Sequence, residues 1–360
     1  MKKYLIVLAC ALTIVGCKQK QEQAVEAAAV SDSEQVVEES KAFTPAEIGS
    51  QWTTKDINVE KGGAQPDIVT LLRAFGKVWP TESLNALLEM AAQKVDQYIN
   101  RDTGGGMDID YKNGYASVQP GDTDEDRLFA AVWKRSNGHR LFGIRLYTPS
   151  SDNRSKADGE ALCFYDYDPK AEKMTPEKDV AVAKFQPAKD HYAQYEFPRM
   201  GRDMLVGETN SEYISKWHVY AWDGMNFKEE TAYTDEEMRS AVVGLWLNAD
   251  KNLPFTFRVF LDEEEWPQIT ECGISGSTEY DALIYVSDGQ LVVMENNPMD
   301  YDDSGDEEME NNFKPSLVCR YRLTKDGKLT GAYYIKKPDN KELSGIMTLE
   351  KQSQLNDYAE

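Results

Sequence analysis

The sequence predicts a mainly β fold with a helical pair near its N-terminus, an α+β class, and three observations carry that reading. Apolar residues recur at helical spacing between about residues 68 and 99. That period breaks at the run Thr–Gly–Gly–Gly, residues 103–106. Beyond it, short β-branched and aromatic runs alternate with Asn–Gly and Asp–Gly dipeptides, the signature of tight hairpins.

In chain order, the first segment is MKKYLIVLACALTIVGC. Lys2 and Lys3 precede a twelve-residue apolar stretch, residues 4–15, interrupted only by Thr13. A membrane-spanning helix needs about 20 apolar residues, so the stretch has the length of a secretion signal, residues 1–16. Its end, Ile14, Val15, Gly16 and Cys17, resembles the lipobox of bacterial lipoproteins, although Ile14 and Val15 depart from the usual Leu and Ala or Ser. The resemblance covers residues 1–17 only. It implies cleavage before Cys17, diacylglycerol on its sulfur and a further acyl chain, of the palmitate kind, on its new amino group. Lys18, where Asp would mark inner-membrane retention, implies sorting to the outer membrane. Several acyl chains anchor firmly where one anchors reversibly, so Cys17 is the expected attachment to the lipid bilayer. The alternative is an ordinary signal with a chance cysteine.

Residues 17–45 are rich in Gln, Glu, Ala, Ser and Val, with Phe43 their one aromatic. Such a composition need not fold alone and suits a flexible tether; a short helix over residues 21–29 is the rival reading.

Residues 46–101 read as a helical hairpin or kinked helix. Pro66 and Asp67 suit a helix start, and Ile68, Leu71, Leu72, Phe75, Val78 and Trp79 follow at helical spacing. Pro80 interrupts. Thr81 caps a second stripe of Leu84, Leu87, Leu88, Ala91, Ala92, Val95, Tyr98 and Ile99, expected to pack a core.

Residues 102–233 read as a central β-rich domain, with strands expected at 107–111, 115–119, 128–134, 140–148, 161–167, 192–197, 204–207 and 214–221. The dipeptides at 113–114, 137–138 and 223–224 supply turns. The rhythm resembles propeller-like β modules, but no fixed period supports one. The residues at 234–237 mark a polar junction. Residues 238–352 then carry seven more short runs, which suggest a C-terminal antiparallel β barrel or sandwich. In FTFRVFL, Phe255, Phe257, Val259 and Leu261 share one face. The closing strands are similar to those of small calycin-like barrels.

The chain carries 62 acidic and 40 basic residues, a net charge of −22. That balance excludes nucleic acid as a partner, because phosphate backbones are met by clustered Lys and Arg. Cys163 reads as a core residue. Cys272 and Cys319 flank an acidic loop in one candidate domain, where a disulfide or two buried free thiols are both expected outcomes in an exported protein.

The acidic loop itself has calcium-like spacing. Asp300, Asp302 and Ser304 fall at positions 1, 3 and 5, Gly305 at 6, Asp306 at 7 and Glu308 at 9, so hard oxygen donors alternate around a glycine turn. Asn311 stands at position 12, where the calcium-loop family has a bidentate glutamate. The bland reading is a solvated loop. A second acidic run at 122–126 and a third at 262–265 read the same way. His139, His191 and His218 form no zinc motif. Ser275 and Ser277 lack the spacing of a nucleophile elbow, and no catalytic residue is expected. The tryptophans and many tyrosines serve packing or, where exposed, sugar stacking.

As a whole the chain resembles the large, uncharacterised envelope lipoproteins of Bacteroides-type bacteria. That implies a membrane-anchored periplasmic or surface-facing protein with a binding or structural role. The alternatives are a glycan-binding or glycan-processing accessory and a calcium-dependent adhesion module; a glycan or an envelope protein would be the partner.

Overall fold

The computed structural model describes residues 42–352, apart from 101–102, 122–124, 152–155, 211–213, 249, 251, 275–277, 296–314 and 338. Its helices are short and explicitly capped. α1 (Pro45–Gln51) opens on a reciprocal capping box between Thr44 and Glu47. α2 (Ile68–Val78) is capped by Asp67, whose carboxylate accepts the Thr70 N–H at 2.7 Å. α3 (Glu82–Ala92) is capped by Thr81 as expected. The junction at 234–237 is a helix start, because Thr234 and Glu237 form a second capping box for α4 (Asp235–Val242). The apolar stripe of α3 ends earlier than the sequence predicts. Residues 97–100 are extended, and Tyr98 and Ile99 are exposed.

The first sheet contains β1 (Ile57–Asn58), β2 (Gln97–Asn100), β3 (Gly105–Asp110), β4 (Tyr115–Gln119), β5 (Arg127–Lys134), β6 (Arg140–Pro149), β7 (Ala157–Asp168) and β8 (Lys173–Pro176). Their order is β1-β8-β7-β6-β5-β4-β3-β2. Alternation along a strand sends successive side chains to opposite faces, and both faces of this sheet are covered. Leu128, Ala130, Phe142, Ile144, Leu146, Cys163 and Tyr165 meet α2 and α3 in one core. Within it Tyr165 Oη accepts from the Trp79 indole at 3.2 Å and donates to the Trp52 carbonyl at 3.1 Å, so the buried hydroxyl is satisfied. α1 lies so close to β7 that a Cβ on Gly49 would meet the Glu160 carbonyl at 2.2 Å.

The second sheet holds β9 (Tyr192–Glu196), β10 (Met204–Thr209), β11 (Ile214–Trp222) and β12 (Phe227–Tyr233). It is buried on both sides. Met204, Val206, Tyr220, Trp222 and Phe227 join Trp133, Leu141 and Phe164 of the first sheet. Leu205, Trp217, Val219 and Tyr233 join the C-terminal core. Phe227 and Tyr233 would share a face in an unbroken strand. A register shift places Val219 opposite Thr231 and Tyr220 opposite Glu229, leaving Glu230 as the extra residue. That bulge turns β12 over.

The third sheet holds β13 (Gly244–Asn248), β14 (Phe255–Leu261), β15 (Pro267–Ile274), β16 (Thr278–Glu279), β17 (Ala282–Ser287), β18 (Gln290–Glu295), β19 (Leu317–Leu323), β20 (Leu329–Lys336) and β21 (Glu342–Lys351). The order is β16-β15-β14-β13-β21-β20-β19-β18-β17, a nearly closed antiparallel barrel. Trp246, Phe255, Phe257, Tyr321 and Leu349 fill it, with Met238 and Val242 of α4. β15 is missing from the sequence expectation because its apolar alternation is broken. Glu271 sits at φ +54° at a register shift against β14, which moves Cys272 and Ile274 inward.

Candidate functional site

The face that the first sheet turns toward the second is split along its length. Toward one end, Ala131, Trp133, Leu141 and Phe164 are buried against the second sheet. The Trp133 ring lies 5.1 Å from Phe227 and 6.0 Å from Phe197, and its indole N–H donates to the Arg202 carbonyl at 2.7 Å. Toward the other end the same strands carry charge. Arg127 of β5 pairs across the ladder with Tyr147 of β6, and Phe129 pairs with Arg145.

Here the sheets part around a cleft of about 370 Å³. β5 and β6 supply Arg127, Phe129, Arg145 and Tyr147. β9 and the loop after it supply Gln194, Glu196 and Arg199. The barrel supplies Asp288 and Gln290, at the β17–β18 hairpin, and Arg320 on β19. The hairpin is pressed into place: Gly289 has φ +69°, a Cβ there would lie 2.5 Å from the Trp217 ring, and its carbonyl accepts from Tyr233 Oη at 2.7 Å.

Most of the charges are matched. Arg145 is buried, donates to Glu160 at 2.6 Å and lays its guanidinium 4.0 Å over the Tyr147 ring. Arg199 pairs with Asp108 at 3.2 Å. Asp203 is held by Arg322, which also meets Glu230 at 2.8 Å. Arg127 and Arg320 differ. Among the described residues neither guanidinium has an ion-pair partner, and Arg127 Nε is buried with no hydrogen bond at all. Beside them, burial pushes the Glu196 carboxyl up to about 7. The nearby Asp288 charge adds to this, and a hydrogen bond from Gln194 with the fields of Arg145 and Arg320 offsets it only in part. Burial likewise raises the Tyr115 and Tyr195 hydroxyls to about 12.

A larger recess, of about 680 Å³, lies between α3 and β2–β4. It is lined by Glu82, Glu125, Asp126, Tyr98 and the backbone of Gly105 and Gly106, and none of its described lining residues is a cation. Unmatched donors converge in the arginine cleft instead, and convergent polar groups in a concave site are what marks a binding site.

The residues singled out from sequence lie elsewhere. Cys17 and the calcium-like set Asp300, Asp302, Ser304, Asp306 and Glu308 fall outside the described residues, as do Asp122, Asp124, Ser275 and Ser277. Asp126 accepts the Thr148 hydroxyl. Asp262 closes its own turn by accepting the N–H groups of Glu264 and Trp266. Cys272 and Cys319 do share the barrel core, as free buried thiols rather than a disulfide. Burial holds both thiols high, that of Cys319 at about 12. Cys163 is a core residue. The histidines are dispersed: His139 meets Asp166 at 2.7 Å, and His218 lies between Glu208 and Glu229. No metal-holding group of His, Cys, Asp and Glu occurs among the described residues.

Sequence reading missed the arginines of the cleft. The available signal was Arg145 within the apolar run FGIRLY and Arg320 with Arg322 in VCRYRL. The second pair reads as a wet strand face. In the fold Arg322 is buried between Asp203 and Glu230, and Arg320 faces the cleft. Compared with known proteins, the chain matches no family model, no curated protein and no solved structure.

Proposed function

We propose that this chain is a lipid-anchored binding protein of the bacterial outer membrane, tethered through Cys17, whose folded body takes up a small soluble ligand in the three-sheet cleft. The observation that carries the binding role is the pair Arg127 and Arg320: two guanidiniums that line one concave site from different sheets, without an ion-pair partner among the described residues, in a strongly acidic chain. A buried donor left unmatched costs about 1–3 kcal/mol, and an acceptor arriving with a ligand removes that cost. The attachment is supported by the signal and lipobox-like sequence ending at Cys17. No helix among the described residues is long and apolar enough to cross a membrane. In this reading acyl chains on Cys17 carry the body at the bilayer surface, with residues 18–41 as spacer.

Two measurements test the parts separately. Cys17→Ser should move the protein from the membrane fraction to the soluble fraction; persistent membrane attachment refutes the anchor. For the cleft, thermal unfolding of the detergent-solubilised full chain is followed against a panel of sugars and organic acids. At least one compound should raise the melting temperature of the native chain and not of Gln194→Trp, which fills the cleft. Equal responses from both proteins, or none from either, refute the site.

A further inference from the structure

We propose that the three-sheet cleft is a site for a compact organic carboxylate bearing one negative charge, held by Arg127 from the first sheet and Arg320 from the barrel. The proposal rests on the reading of the cleft as a binding site and adds the chemical class of what enters it.

The charge balance selects an anion and limits its charge. Four arginines and three carboxylates line the cleft: Arg127, Arg145, Arg199 and Arg320 against Glu196, Asp203 and Asp288. Arg145 is paired with Glu160, Arg199 with Asp108 and Asp110, and Arg322 with Asp203 and Glu230. That leaves Arg127 and Arg320 in the cleft with Glu196 and Asp288. With the proton on Glu196, the unmatched groups sum to a single positive charge. One carboxylate completes the balance. A phosphate dianion would add a second negative charge beside Asp288 and Asp203.

Hydrogen bonding points the same way. Arg127 Nε is a buried donor with no acceptor, and guanidinium–carboxylate contacts are among the stronger hydrogen bonds available. Protonated Glu196 offers an O–H to the oxyanion, while Gln194 donates to its other side at 2.8 Å. Tyr115 from β4, Arg145 from β6, Asp288 from the hairpin and Arg320 from β19 all face Glu196. A bound carboxylate adds one more negative charge to that circle and so favours the protonated acid. Binding therefore takes up a proton, and affinity falls as pH rises through 7.

The walls set the size and the body of the ligand. The Phe129 and Tyr147 rings lie 6.3 Å apart with planes 14° from parallel, and Arg145 covers Tyr147. These rings stand beside Arg127 and Arg145 on the wall formed by β5 and β6 and give that wall a flat aromatic part. The volume of about 370 Å³ sits at the small end of ligand pockets, which run from about 300 to 1,000 Å³, and suits a single six-membered ring with its substituents.

A carboxylate of this shape can be an acidic sugar or a simple ring acid, and the probes separate the two. Calorimetry on the detergent-solubilised full chain is run with glucuronate, benzoate, glucose and glucose 6-phosphate at pH 6 and pH 8.5. Glucuronate or benzoate should bind at pH 6 at least about tenfold more tightly than glucose and glucose 6-phosphate. Glucuronate alone identifies the acidic sugar; benzoate alone identifies the ring acid. Arg127→Met and Arg320→Met should each weaken that binding about tenfold to a hundredfold, with partial recovery in Arg127→Lys. Raising the pH to 8.5 should weaken it about tenfold in the native chain and leave Glu196→Gln unaffected. Melting temperatures of the arginine variants that do not fall rule out misfolding, since neither guanidinium has an ion-pair partner among the described residues. The proposal is overturned if no probe binds, if glucose or glucose 6-phosphate binds as tightly as the carboxylates, or if both methionine variants bind normally. Glucose binding that Gln194→Trp abolishes would overturn the carboxylate inference while leaving the cleft reading intact.

Discussion

Arg127 begins β5 and Arg135 stands just past its other end, and the two have opposite fates. Arg135 is 5% exposed, and its guanidinium is spent on protein: the Met225 carbonyl at 3.0 Å, Asp166, Glu177 at 3.1 Å and Asn226 at 3.4 Å. It ties the end of the first sheet to the β11–β12 turn of the second. Arg127 makes none of these contacts. The same contrast holds between their neighbours. Trp133 is locked among Phe164, Phe197, Trp222 and Phe227, whereas Phe129 and Tyr147 are half-buried beside the cleft. One pair of sheets thus has a sealed end that holds it together and an open end that does not. Stability and binding are placed at separate ends of one strand.

The sharpest way to break this comparison is to truncate one aromatic from each end. Trp133→Ala removes a fully packed ring and should cost about 3–5 kcal/mol, read from urea denaturation. Tyr147→Ala at the open end should cost about 1 kcal/mol, because a partly exposed ring loses less burial. Equal losses would mean the cleft wall is also structural. The arginines give a smaller contrast. Arg135→Met should cost about 2–3 kcal/mol, since Asp166 and Glu177 keep their charges and lose a buried partner. Arg127→Met should not destabilise the fold, because it removes a buried donor that has no hydrogen bond.

A further expected effect concerns pH. The Glu196 carboxyl lies near 4.5 in an unfolded chain and about 7 in the fold. Between those values the folded chain binds more protons than the unfolded one, so stability falls as pH rises from 4.5 to 7 and levels off above. The contribution is fully present below 4.5 and lost above 7. Glu196→Gln should flatten that part of the stability–pH curve and make the protein more stable than the native chain at pH 8. An unchanged slope would show that Glu196 is solvated and the cleft is wetter than its geometry indicates.

Much of the fold was legible because its signals are local. The expected strand at 255–261 matches β14, where buried and less buried residues alternate, and that at 115–119 matches β4, which follows the Asn113–Gly114 turn. Thr81 capped α3 as its hydroxyl chemistry predicts. The errors fall where local signals compete. Tyr98 and Ile99 continue a helical stripe on paper, but β3 offers them a ladder and the helix stops at Ala92. β15 loses its period at the bulge of Glu271. α1 and α4 carried capping boxes that were read as tether and junction. The site was not legible at all. Arg127, Glu196 and Arg320 lie on three different sheets, and in isolation each is an ordinary surface charge.

The sequence by itself determined the mainly β class, the helical pair and most strand positions. These depend on spacing over a few residues: period two or 3.6, a capping hydroxyl, an apolar run of given length. Tertiary structure decided which arginines are paired, that Cys272 and Cys319 share a core as thiols, and that three sheets leave a cleft at their junction. Those outcomes depend on which strands become neighbours. A charge reads as solvated or buried, matched or unmatched, only once residues from distant parts of the chain have been brought within a few ångströms of it.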